Sequence, residues 1–81
     1  MADEQLSDRI ERLVAEEHDL FHRGDSEHGL EPAEHERLEK IRLELDQCWD
    51  LLRQRRALRE AGRDPDAADL RRPEVVEGYE Q

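Results

Sequence analysis

The strongest constraint on the fold is a regular row of apolar residues in the middle of the chain, which we call the apolar seam. Its members recur at steps of three and four, the spacing of one face of an α-helix. They are Leu38, Ile41, Leu45, Cys48 and Leu52. Pro32 stands where a first helical residue is favourable, and Gly62 where a helix commonly ends. The seam predicts one long helix over about residues 32–61, with Arg55 at its next position.

A shorter apolar row predicts a first helix over about residues 4–23. Its members are Leu6, Ile10, Leu13 and Leu20. The stretch "GDSEHGLE" that joins the two predicted helices is short and polar, so the helices should pack side by side and antiparallel. Residues 1–62 are therefore predicted to form a coiled-coil-like helical hairpin.

Residues 63–81 are predicted to form a short helix and an irregular tail. Asp64 and Pro65 suit the cap and the first residue of a helix that ends before Pro73. The closing stretch "PEVVEGYEQ" has no helical period. The expected fold class is all-α: an antiparallel two-helix hairpin with a partly ordered C-terminal tail.

The composition leads us to expect self-association. Charged residues form 44% of the 81 residues, and so short a chain usually needs a partner, an oligomer or a cross-link to stabilise its thin core. Cys48 is the only cysteine, so a disulfide cannot provide the cross-link. Two helices alone would leave Trp49, Leu51 or Leu58 in water. We therefore expect a homodimer with a four-helix arrangement and Trp49 as a candidate interface anchor.

The stretch "RQRRALR", residues 53–59, carries four arginines directly after the seam. The first helix should end opposite about Leu52, so these turns should project beyond it. Arg53, Arg56 and Arg59 are candidates for binding a partner or an anion, because guanidinium groups bind carboxylates and phosphates through paired hydrogen bonds. The alternative is a solvated helix end whose arginines pair with acidic neighbours.

The tail is the nearest segment that could cover the arginine-rich turns. Its acidic residues offer carboxylates to Arg53, Arg56 and Arg59. Its apolar residues offer contact area to Leu58 and to the flank of Trp49. These tail residues are Asp66, Asp69, Glu74, Glu77, Val75, Val76 and Tyr79. We expect the tail to dock at least transiently.

Few residues suggest chemistry. His18 and His22, in "HDLFH", are four apart, a spacing that holds zinc on a helix when His28 or His35 supplies a third ligand. The alternative is a pair of solvated side chains near a helix end. Cys48 lies on the seam, where cysteine usually packs as a small apolar residue. We therefore expect no catalytic site, no metal site and no cofactor.

The charge and the cysteine count limit the cellular setting. A net charge of −10 disfavours nonspecific nucleic-acid binding, which needs a positive surface. The lone cysteine favours a reducing cytoplasm. No apolar run exceeds three residues, so we expect no membrane span.

The amino-acid sequence also resembles that of a known family. "RIERLVAEEHDL", "LELDQCWDLLRQRRALREAG", "DPD" and "RPEVVEGY" in this order are similar to small actinobacterial proteins of the domain-of-unknown-function family 2630. The run from Asp46 to Asp50 with the following arginines is its most specific part. The resemblance spans nearly the whole chain and implies that the tail belongs to the domain. It implies no activity, cofactor or site residue.

Together these features predict a small non-catalytic cytoplasmic protein that acts through helix-mediated association with an unidentified protein partner. The alternative is a module that binds a small anion or a metal through residues Arg53 to Arg63, or through His18 and His22.

Overall fold

The computed structural model describes residues 2–25 and 29–76, except the side chains of Pro73 and Val76. Helix α1 spans Asp3–Gly24 and helix α2 spans Pro32–Glu60. A 3₁₀ helix follows at Pro65–Ala67, and a single helical turn, α3, at Pro73–Val76. The predicted two-helix hairpin is confirmed, and the described residues contain no strand.

Local hydrogen bonds explain where the helices begin and end. At the start of α2, the backbone N–H of Glu31 donates to the Glu34 carboxylate at 2.9 Å, and Pro32 follows. At its end, Gly62 has φ of 73°, a left-handed conformation that glycine adopts without strain. This conformation lets the N–H of Arg63 reach the carbonyl of Leu58 at 2.7 Å, which closes the last turn.

The core lies along the contact between α1 and α2. Its buried apolar members are Leu6, Ile10, Leu13, Leu20, Leu38, Ile41, Leu45, Cys48 and Leu51. Two ion pairs at the rim fix the antiparallel register: Arg37 binds Glu16 through two hydrogen bonds of 2.6 and 2.8 Å, and Arg23 binds Glu34 at 3.0 Å.

The tail folds back onto α2, which both the 3₁₀ helix and α3 contact. The Asp64 carboxylate accepts the N–H of Asp66 at 2.9 Å, so the predicted cap is in place, but the helix that it starts is the short 3₁₀ helix. The turn α3 was not expected, because four residues are too few to show a period. The predicted roles of Glu77, Tyr79 and the Val76 side chain lie outside what the structure describes.

The expected projection of the arginine-rich turns beyond α1 is wrong. Asp3, the first residue of α1, contacts both Arg55 and Arg59 of α2. The N-terminus of α1 therefore lies opposite these turns. The apolar seam ends there because ion pairs replace apolar packing, and α1 still provides the partner groups.

Candidate functional site

Arg55 joins three parts of the chain. It occupies a seam position and is 7% exposed. Its Nε donates to the Asp3 carboxylate of α1 at 2.5 Å, and its Nη1 donates to the Asp66 carboxylate at 2.9 Å and to the Pro65 carbonyl at 3.2 Å. A buried guanidinium is destabilising unless its donors are paired, and these acceptors pair them. Arg55 thus connects α1, α2 and the tail.

These contacts stabilise the charged forms of Asp3 and Arg55. The hydrogen bond from Arg55 holds the pKa of Asp3 below its usual range, and Arg59 lowers that pKa further. The hydrogen bonds to Asp3 and then to Asp66 raise the pKa of Arg55 above its usual range. At neutral pH both groups are therefore charged, as the ion pair requires.

A row of α2 side chains binds the tail through its backbone. Nε2 of Gln54 donates to the Asp69 carbonyl at 2.7 Å, and Oε1 of Gln54 accepts the Asp69 N–H at 3.3 Å. Nε2 of Gln47 donates to the Arg71 carbonyl at 2.9 Å. The buried Asp50 carboxylate accepts from Gln54 at 2.8 Å and pairs with Arg71 at 3.5 Å.

We call this side of α2 the tail flank and define it by Gln47, Asp50, Leu51, Gln54 and Arg55. Leu51 lies at helical spacing from both glutamines and is buried, and Ala68 of the tail packs against the core. The tail therefore adds an apolar contact to the core on this side of the hairpin.

The other side of the hairpin, the open flank, has no such cover from the described tail residues. It is defined by Val14, Glu17, Phe21, Arg42, Asp46 and Trp49. Val14 is 43% exposed and Phe21 46%. The guanidinium of Arg42 lies 5.4 Å from the centre of the Phe21 ring, in a cation–π contact. Between the helices is a shallow depression of about 200 Å³ that Val14 and Trp49 line.

The three arginines singled out from the sequence do not act as one group. Arg53 and Arg56 are exposed, and they continue the stripe of the half-buried Trp49 at helical spacing. Arg59 turns towards α1 and binds the Asp3 carboxylate at 2.5 Å. The site prediction omitted Arg55, although its seam position was the signal that marked it as different from its neighbours.

The histidine spacing brings two rings together. The rings of His18 and His22 meet edge to face with centres 4.5 Å apart, and both side chains are exposed. Among residues 2–25 and 29–76, no three histidine, cysteine or acidic side chains are grouped to hold a metal ion. His28, one proposed third ligand, lies outside the described residues.

Cys48 is buried in the core, and burial raises the pKa of its thiol. The thiolate is the reactive form of cysteine, so the environment of Cys48 disfavours nucleophilic chemistry.

The described helices include none whose length and apolar content would let it cross a membrane.

Comparisons with known proteins give a family and no activity. The profile of a family described as "Protein of unknown function (DUF2630)" matches residues 2–81. An uncharacterized protein of Mycobacterium bovis is 51% identical over 79 residues, which cover 95% of this chain and 88% of the relative. The uncharacterized protein Rv0898c of Mycobacterium tuberculosis strain H37Rv matches with the same identity and coverage. No solved structure gives a significant match. The chain therefore belongs to the DUF2630 family of proteins of unknown function.

Proposed function

We propose that this protein is a small, non-catalytic cytoplasmic interaction protein that works as a homodimer through its open flank. The observation that carries the proposal is the exposure of Val14 and Phe21 beside the half-buried Trp49. Aromatic side chains next to a shallow depression are typical of interface anchors. The described part of the tail covers the opposite side of the hairpin and leaves these side chains in water.

The charges of the open flank favour a second copy as its occupant. The α1 edge carries Glu17. The α2 edge carries the exposed Arg53 and Arg56, and Arg42, which also pairs with Glu39 at 3.9 Å, with Asp46 and Glu60 among them. A two-fold axis parallel to the helices would place α1 of each copy across from α2 of the other. The arginines of each copy then face the α1 edge that carries Glu17 in the other, and all neighbouring helices run antiparallel, as in a four-helix bundle.

The positions of the potentially reactive groups support a non-catalytic role. Cys48 is enclosed in the core with a raised pKa, so its thiol is inaccessible as a nucleophile. His18 and His22 project from an exposed helix surface, where no walls exclude water from a reaction. A lone, buried cysteine suits the reducing cytoplasm.

Sedimentation velocity over the micromolar range tests this proposal with two matched variants. Phe21→Glu places a charge on the open flank, and Leu70→Glu places the same charge at a similarly exposed apolar residue of the tail, where Leu70 is 49% exposed. We expect the wild type and Leu70→Glu to sediment as dimers of the 9.6 kDa chain. Phe21→Glu should shift the equilibrium towards monomer.

Either of two results would contradict the proposal. One is a wild-type monomer throughout the micromolar range. The other is equal loss of dimer in both variants, which would mean that added charge, and not the open flank, controls association.

A further inference from the structure

The tail flank binds the chain's own tail largely through backbone contacts. A segment of another protein could make the same contacts. Three tail carbonyls accept hydrogen bonds from α2 side chains: those of Pro65, Asp69 and Arg71. Gln54 also accepts the N–H of Asp69. Because every residue except proline has both backbone groups, these contacts select an irregular backbone and no particular side chain.

Two contacts add sequence preference. Arg55 binds the carboxylate of Asp66, and Asp50 pairs with the guanidinium of Arg71, five residues later. Both α2 groups are buried and held in place, Arg55 by Asp3 and Asp50 by Gln54. The surface therefore presents a fixed cation and a fixed anion at a defined separation, which is the condition for selecting one charged segment over another.

The cis tail is attached mainly by polar contacts. Leu70 and Val75 are 49% and 58% exposed, and among the described tail residues Ala68 is the one that packs against the core. Because the described tail residues bury little apolar surface, the tail belongs to the less stable part of the fold. Its departure would uncover the part of the core that Ala68 packs against, together with the two fixed charges.

We propose that the tail flank is a binding surface for a partner protein's irregular segment that carries a carboxylate and, five residues on, a guanidinium. The chain's own tail occupies this surface in cis and competes with the partner. Residues 61–64 are a short link between α2 and the 3₁₀ helix, and short links give effective concentrations of about the millimolar order. A partner therefore binds well only when the tail is weakened or displaced.

A labelled peptide of residues 64–76, the segment that the surface holds in the structure, provides the probe. Its fluorescence anisotropy is measured against the full chain and against full-length Asp66→Asn, whose own tail competes less well. We expect the peptide to bind the variant about tenfold more tightly than the wild type, the factor for one charged hydrogen bond lost by the competing tail. The Asp66 side chain is largely exposed, so the variant should keep its fold, which circular dichroism checks.

Two further variants locate the binding. For the Asp66→Asn chain, a peptide that itself carries Asp66→Asn should bind about tenfold more weakly than the unchanged peptide. Adding Arg56→Ala to the chain, at an exposed residue off the tail flank, should not change peptide binding. Adding Phe21→Glu should also leave it unchanged, so the result does not depend on dimerisation through the open flank. Absence of binding to Asp66→Asn at millimolar peptide would overturn the proposal. Equal affinity for a peptide that itself carries Asp66→Asn would also overturn it.

Discussion

Two neighbouring core residues test the assignment of Cys48 to packing. Leu45→Ala removes three carbon atoms from a buried position, and buried methylenes contribute about 0.8 kcal/mol each. With the added cost of the cavity, the free energy of unfolding should fall by about 3–4 kcal/mol. Cys48→Ala removes one sulfur atom, about the size of a methylene, and should reduce the free energy of unfolding by only about 1–1.5 kcal/mol.

Urea unfolding followed by far-ultraviolet circular dichroism measures both values. All variants are compared at one protein concentration, because self-association adds to apparent stability. Cys48→Ala should also keep the wild-type association state. A loss of stability at Cys48 as large as that at Leu45, or a loss of association in a folded Cys48→Ala protein, would refute the packing role.

The reactivity of the thiol gives an independent check of the same reasoning. Burial raises the pKa of Cys48, with Glu44 raising it further and Arg9 lowering it. The native thiol should therefore react with an alkylating reagent much more slowly than the thiol of urea-unfolded protein. Equal rates in the native and unfolded states would show that the side chain is accessible.

Three other predictions follow from the contacts. Zinc at a few equivalents should not raise the Tm, because His18 and His22 lack a third ligand among the described residues; a rise that His18→Ala abolishes would show a specific site. Arg55 lowers the pKa of Asp3, and Arg37 lowers the pKa of Glu16. The native state therefore binds fewer protons than the unfolded state. The stability they contribute is present above the unfolded pKa values and should be lost as the pH falls below about 4, and a Tm that is unchanged or rises there would contradict this. Deleting residues 64–81 should lower the hydrogen-exchange protection of residues 53–61 more than that of residues 38–45, and equal protection with and without the tail would contradict tail docking.

The hairpin could be predicted because the apolar residues that drive its packing recur at helical spacing. Apolar residues three and four apart define one helical face, and Pro32 and Gly62 mark the ends of the longer helix. By the same spacing, the apolar seam is predicted to end at Leu52, because the residue at the next seam position, Arg55, is polar. Arg55 nevertheless packs at the next seam position because its long stem fits there and its charged group finds carboxylates.

The partners of Arg55 could not be read from spacing. Asp3 lies 52 residues away in sequence and Asp66 lies 11 away, so only the fold brings them together. The sequence predicts that tail acids meet Arg53, Arg56 and Arg59, whereas Asp66 binds Arg55 instead. Asp69 binds Gln54 through its backbone, which no side-chain pattern reveals.

The central claim, dimerisation through the open flank, can be followed through Trp49, the only tryptophan in the chain. Its emission is recorded as the protein is diluted from high micromolar to nanomolar concentration. If the flank is the interface, the emission of the concentrated protein is blue-shifted and moves to longer wavelength on dilution, with the same midpoint as the sedimentation data. Phe21→Glu should show the long-wavelength emission throughout the range. An emission that stays constant in the wild type while its mass changes from dimer to monomer would contradict the account, because the interface would then lie elsewhere.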